Sequence, residues 1–340
     1  MDYIINQLFN LTAIPSPSGF TAKASEYVLN EFKSMGFEGS MTKKGGVLVT
    51  LGGEGNPLVL SAHLDTLGAM VAEIKGNGRL RLLPVGGLQP NNAETENCTI
   101  HCRLSDKTYT GTMQMNDPSV HVNHDYSSQK REFKEMEVVI DERVFKKDDT
   151  AALGISVGDF VSFDPRTVVT DSGFIKSRFL DDKLSVAILL GLAKHIKDSG
   201  AKLTRKVYAY VTVYEEVGHG CAGSIPDDAN EIISVDMGCV GSGLDCDEHK
   251  VSICPKDSIG PYDYEVTTNL IMRAKENNLE YAVDIYPYYG SDADAALSAG
   301  YELKHGLIGP GVYASHGYER SHMDGVRNTL ELLKAYTLER

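Results

Sequence analysis

Two adjacent glutamates, Glu215 and Glu216, follow a β-branched and aromatic run at 206–214 and precede Gly218. The run predicts a buried strand that delivers both acids to its C-terminal edge, where ligands sit in open α/β sheets. Successive strand side chains point to opposite faces, so the two glutamates are expected to have different tasks. Taken alone, the pair also fits a solvated turn. Other strand ends carry similar groups. His63 and Asp65 follow the apolar run 58–62 and share a face, so the Asp65 carboxylate can bond the imidazole and fix its tautomer. Asp181 and Asp182 precede an apolar helical stretch, Asp236 follows 232–235, and His316 lies in the irregular stretch 313–318. Singly, each has a plain structural explanation: a helix N-cap for Asp181, a turn for Asp236, a loop position for His316, the core for His63.

Together, His63, Asp181, Glu216, Asp236 and His316 supply two imidazoles and three carboxylates, enough for two divalent cations that share one aspartate. Two such cations carry +4 and the carboxylates −3, so a bridging hydroxide neutralises the cluster and is the nucleophile of a two-metal hydrolase. Mixed nitrogen and oxygen donors suit zinc, with cobalt or manganese as alternatives. Glu215, placed by strand parity outside the ligand set, is then the expected general base.

The elements that must position these groups alternate. Apolar spacing predicts a helix over 2–11 and a second one, capped by Thr21, with the stripe Ala24, Val28, Leu29, Phe32 and Met35. Strands are expected at 47–51 and 57–62, joined by the turn 52–56. After about 165 the pattern gives helices near 182–198, 266–277, 292–299 and 323–337, with strands at 206–214, 232–237 and 282–285. This alternation predicts an α/β fold, a mainly parallel sheet with helices on both faces, in a discontinuous catalytic domain of residues 1–67 and 165–340. The region 68–164 has no long helix. It opens with a hairpin signal around Gly76-Asn77-Gly78 and is read as an all-β insertion, with 105–132 as its exposed loops.

Composition bounds the function. A net charge of −14 argues against nucleic acid or an anionic membrane as partner. The longest apolar run is far short of a membrane span. The N-terminus lacks a basic region and a cleavage site, and the six cysteines show no paired Cys-x-x-Cys spacing, which favours reduced thiols and the cytoplasm. Cys98, His101 and Cys102 lack a fourth ligand for a structural zinc site.

The stretches 61–65, 177–183, 214–218, 234–237 and 315–320 resemble, in order, the motifs of the dinuclear-metal aminopeptidases that include the glutamyl aminopeptidases and the tetrahedral (TET) aminopeptidases. The resemblance spans nearly the whole chain. It implies a zinc-peptidase-like fold and hydrolysis of peptides with a free N-terminus. It places His63, Asp236 and bridging Asp181 on one metal, and Glu216, His316 and Asp181 on the other. Asp65 would support His63, Glu215 would be the base, and the Asp181–Asp182 peptide would be cis. It further implies that the insertion is a dimerisation domain and that dimers build a hollow dodecamer. Thr66 departs from the pattern, which often has Glu after the His-x-Asp, and the segment 98–124 matches weakly.

Related dipeptidase and carboxypeptidase-like enzymes use a similar cluster but place their dimerisation insert after the Glu-Glu pair. A metal-free glycosidase would use Glu215 or Glu216 and leave His63, Asp236 and His316 without a task. A non-enzymatic scaffold would need no metal at all. The N-terminal residue preferred is expected to be chosen by loops near 255–264 and 286–294, with Lys256, Tyr262, Tyr289 and Asp292 as polar candidates. A glutamyl preference would want a cation there.

Overall fold

The computed structural model describes residues 1–339. The chain divides into two compact units, Met1–Asp65 together with the stretch from Arg166 onward, and Thr66–Pro165.

The larger unit is built on a mixed sheet. At its centre Val207–Thr212, Leu58–His63, Glu231–Val235 and Lys304–Tyr313 lie side by side and parallel. The first three are buried along their whole length, as strands covered on both faces must be. Helix Leu180–Ser199 packs on this core, with Val186 through Ala193 buried, and ends at Gly200 in the left-handed conformation. Helix Asp2–Ala13 packs against it, burying Ile4, Leu8 and Leu11. The second helix, Ala22–Ser34, starts after Thr21, whose hydroxyl makes no capping bond.

The expectation of a mainly parallel sheet is corrected to a mixed one. Val47–Gly52 runs antiparallel to Val207–Thr212, which inserts between it and Leu58–His63, so the turn at 52–56 joins strands that are not neighbours. At the other side Glu319–His322, Phe174–Ser177 and Val168–Val169 are antiparallel. Helix and strand alternation marks only the crossovers. The sheet's flanks return through short connections, which leave no helical period to read.

No strand is expected from the sequence at Lys304–Tyr313, because Gly306, Gly309, Pro310 and Gly311 interrupt its apolar pattern. The glycines have a packing reason. A Cβ on Gly309 would lie 1.4 Å from the Asp236 carbonyl oxygen, and one on Gly311 would lie 2.0 Å from that of Asp247. The close approach lets Asp236 N–H donate to Ile308 O at 2.9 Å.

In the smaller unit, among the described residues, Gly68–Ile74, Leu80–Val85, Met136–Ile140, Thr108–Met115, Asn97–His101 and Phe160–Phe163 close a barrel. The hairpin around Gly76-Asn77-Gly78 forms as the sequence predicts. Thr108–Met115 corrects the reading of 105–132 as loops: its alternating burial is that of a barrel strand.

Candidate functional site

The C-terminal ends of the parallel strands converge on one cluster. His63 ends its strand, Asp236 follows Glu231–Val235, and His316 follows Lys304–Tyr313. The strand Val207–Thr212 stops before the glutamates. The chain turns through Tyr214 (φ 73°) into a single helical turn, Glu215–Val217. The expectation that strand parity separates Glu215 from Glu216 therefore fails in its reason, because neither is in a strand. They still face different neighbours. Glu215 Oε2 lies 3.6 Å from His63 Nε2, and Glu216 Oε2 lies 3.5 Å from His316 Nε2.

Asp181 stands between the imidazoles. Its Oδ1 is 3.0 Å from His63 Nε2 and its Oδ2 is 3.6 Å from His316 Nε2. Asp181 and Asp182 depart from helical geometry at the head of Leu180–Ser199, and the peptide between them is cis. Phe179, Tyr214 and His316 all adopt positive φ, a conformation rare in residues with a side chain, and all three border the cluster.

A layer of buried groups fixes these side chains. His63 Nδ1 lies 2.9 Å from the Asp65 carbonyl oxygen, which can only accept, so Nδ1 carries the hydrogen and Nε2 is turned toward Asp181. The bond expected from the Asp65 carboxylate is thus supplied by its main chain, because the carboxylate is engaged elsewhere. It accepts the N–H groups of Glu215 (3.1 Å) and Glu216 (3.4 Å) and the Ser18 hydroxyl. Asp65 therefore positions the turn that carries both glutamates. Glu319, which the sequence reading did not assign, is buried and accepts from Asp181 N–H at 3.1 Å and His316 N–H at 3.0 Å. Its signal in the sequence was only its place three residues after His316. Asp182 Oδ2 accepts from His63 N–H at 3.1 Å.

The electrostatics are those of crowded acids. Burial and neighbouring carboxylates push Glu215, Glu216 and Asp182 well above the usual carboxylate range and Asp236 up to about 7. Burial acts the same way on Asp181, but contact with His63 outweighs it and holds Asp181 low. Burial opposes a charge on His63, and Glu215, Asp181 and Asp236 overcome it, raising the imidazole. Ligand-type atoms of His63, Asp182 and Asp236, and of His63, Asp181 and Glu216, lie within 4.8 Å of one another. Among the described residues, two buried oxygens of this cluster, Asp182 Oδ1 and Glu216 Oε1, find no hydrogen-bond partner.

A third grouping, His249, His322 and Asp324, is differently occupied. His322 Nδ1 accepts the Asp324 N–H at 3.0 Å and its Nε2 donates to Ser172 O at 2.8 Å, so the ring caps helix Met323–Thr337.

A cavity of about 570 Å³ opens beside the main cluster, lined by Asp181, Glu215, Glu216, Asp236 and His316 and extending to Ile259 and the helix Asp292–Ser298. Of the expected pocket residues, Tyr289 and Asp292 line it. Lys256 and Tyr262 do not, and the Lys256 ammonium donates to Asp257 O.

Residues 45–332 match the family model described as M42 glutamyl aminopeptidase. The chain belongs to the M42 glutamyl aminopeptidase family. It is 46% identical over 328 residues to YhfE of Bacillus subtilis (strain 168), covering 96% of this chain and 94% of that one. Its fold is that of aminopeptidase APDkam598 from the archaeon Desulfurococcus kamchatkensis, at a TM-score of 0.87 and 22% identity over 99% of this chain and 95% of that one. It is equally that of the Pyrococcus horikoshii TET1 peptidase, at a TM-score of 0.86 and 22% identity over 99% and 100%. That peptidase can assemble into a tetrahedron or a large octahedral shell.

Proposed function

We propose that this M42 protein is a metal-dependent aminopeptidase that removes N-terminal residues from peptides, with His63, Asp181, Glu216, Asp236 and His316 holding two divalent ions. The observation that carries this reading is Asp181, one buried carboxylate whose two oxygens face two imidazoles. The residues fit such a centre. Imidazole nitrogens and carboxylate oxygens are the donors that zinc, cobalt or manganese takes. The buried, unpartnered Glu216 Oε1 and acids pushed up by burial and by their neighbouring carboxylates suit a cluster that holds cations.

When bound, the ions activate water and polarise the scissile carbonyl. The remaining work belongs to the chain. Glu215 Oε2 takes the proton from the attacking water and passes it to the leaving amine. Its raised affinity for a proton suits a group that must both accept and donate near neutral pH. Asp65 holds the turn that aims Glu215, and Glu319 ties His316 to Asp181 through their main-chain N–H groups.

The reading extends to the whole molecule. The barrel unit 66–165 serves as a dimerisation domain, and dimers build a dodecameric shell, a reading supported by the assemblies of the P. horikoshii relative. The cytoplasm is the proposed location, supported by six unpaired cysteines.

Metal analysis combined with hydrolysis of three peptides tests the activity: one with both ends free, one N-acetylated, one C-amidated. The expected result is about two ions per chain, loss of turnover on chelation, and cleavage of the free and C-amidated peptides alone. Cleavage of the N-acetylated peptide, or turnover that survives exhaustive chelation, would overturn it.

A further inference from the structure

The cavity beside the cluster is where the first side chain of a peptide substrate must lodge, an assignment that rests on the aminopeptidase reading. Its walls make a selection. One wall is a face of the helix Asp292–Ser298, presenting Ser291, Asp294, Ala295 and Ser298 at helical spacing. Ile259 and Tyr288 line it as well. Ser291, Ala295 and Ser298 are small, and a cavity of about 570 Å³ leaves room for a large side chain.

The charges in the cavity have one sign. Among the described residues no lysine or arginine lines it. The Lys256 ammonium is turned to the Asp257 carbonyl, and that of Lys44 to the carbonyls of His219 and Gly220. Three lining acids, Asp181, Glu216 and Asp236, with a hydroxide would balance the +4 of two divalent ions, and Glu215 is the proposed base. Asp292 and Asp294 have no such counter-charge. Asp292 is fixed by the Cys221 N–H at 2.8 Å and the Thr212 hydroxyl. Asp294 accepts from Ser291 N–H (3.0 Å) and from the Ser291 and Tyr262 hydroxyls (3.1 and 3.2 Å). Burial and the neighbouring Asp257 bring Asp294 up to about 7, below the pH of an assay at pH 8, and burial raises Asp292 as well.

We propose that this cavity admits N-terminal residues with uncharged or cationic side chains and refuses aspartate and glutamate, in contrast to the glutamyl preference in the family's name. An acidic side chain entering it would lose its hydration, meet the carboxylates of Asp292 and Asp294 and find no lysine or arginine to pair with, and like charges brought together in a partly dry site repel strongly. A leucine side chain loses nothing there, and a lysine gains Asp292 and Asp294.

The test compares kcat/KM at pH 8 for leucyl, lysyl and glutamyl peptides of otherwise one sequence, on the metal-loaded enzyme. Both leucyl and lysyl substrates should exceed the glutamyl one by on the order of 100-fold, a ratio that one unfavourable charge contact supports. Binding gives a second readout: leucinamide and lysinamide should raise the melting temperature, and glutamic acid α-amide should not. Ser298→Arg, at an exposed position of the lining helix, supplies the missing cation. It should raise the glutamyl-to-leucyl ratio at least about tenfold with metal content unchanged. A glutamyl substrate equal to or better than the leucyl one would overturn the proposal and leave the aminopeptidase reading standing. Failure to cleave any of the three would overturn both.

Discussion

Glu215 and Glu216 are neighbours in sequence to which the proposed mechanism gives separate tasks, and conservative substitution distinguishes them. Glu216→Gln keeps the shape of a group beside His316 but removes an anionic donor, so metal content and activity should fall together. Glu215→Gln keeps packing and removes the ability to accept a proton. Turnover should drop by about 10²–10⁴-fold, as for lost general base catalysis, with about two ions per chain retained. Metal analysis and steady-state kinetics on the two proteins check this, and a Glu215→Gln enzyme of normal turnover would end the assignment. The difference between the acids was legible in the sequence only by the wrong route. Alternation along a strand predicts opposite faces, yet the strand ends at Thr212, and the separation comes from the turn that Asp65 pins through both glutamate N–H groups. A tertiary bond from residue 65 leaves no mark in the local pattern at 215.

Among the elements, the strand Lys304–Tyr313 leads to His316, and of the four central parallel strands it is the one the sequence hides. Its neighbours in the parallel core, Leu58–His63, Val207–Thr212 and Glu231–Val235, are β-branched, apolar and uninterrupted, so their pattern suffices. Lys304–Tyr313 carries glycines because the Asp236 main chain presses against it, and the feature that serves the site is the one that disguises the strand. Gly309→Ala should therefore cost several kcal/mol or force Asp236 aside, lowering both the urea midpoint and metal content, since the added carbon would fall 1.4 Å from a carbonyl oxygen. Near-native stability with full metal content would show that the strand yields. A second test lies at the head of the long helix. Lys183 is buried and donates to Leu11 O (2.8 Å) and Ile14 O (2.7 Å), closing the end of the first helix. Lys183→Met keeps the bulk, leaves Leu11 O with only the Ile14 N–H and takes the ammonium from Ile14 O, so unfolding free energy should fall by about 1–3 kcal/mol in urea titration. No loss would mean that water replaces the ammonium there.

For the whole molecule, the crowded acids make stability depend on pH and metal together. In the ion-free protein burial and Asp181 raise Asp236 to about 7, against an ordinary aspartate near 3.9. A group whose folded value is raised binds its proton more tightly in the folded state. Stability from this source is present at low pH and declines as pH rises from about 4 to about 7. Glu215, Glu216 and Asp182 are shifted in the same direction and add to the trend. Divalent ions reverse it, because they bind the ionised acids of the folded chain and stabilise it by mass action. Lys183, lowered to about 7 by burial, acts the other way, but it acts equally with and without ions and cancels in their difference. The melting temperature of the metal-loaded protein minus that of the chelated protein should therefore be larger at pH 8 than at pH 5.5. Calorimetry of both forms at the two pH values measures it. A difference that is flat or shrinks with pH would mean that the acids of this cluster are not the groups that hold the ions.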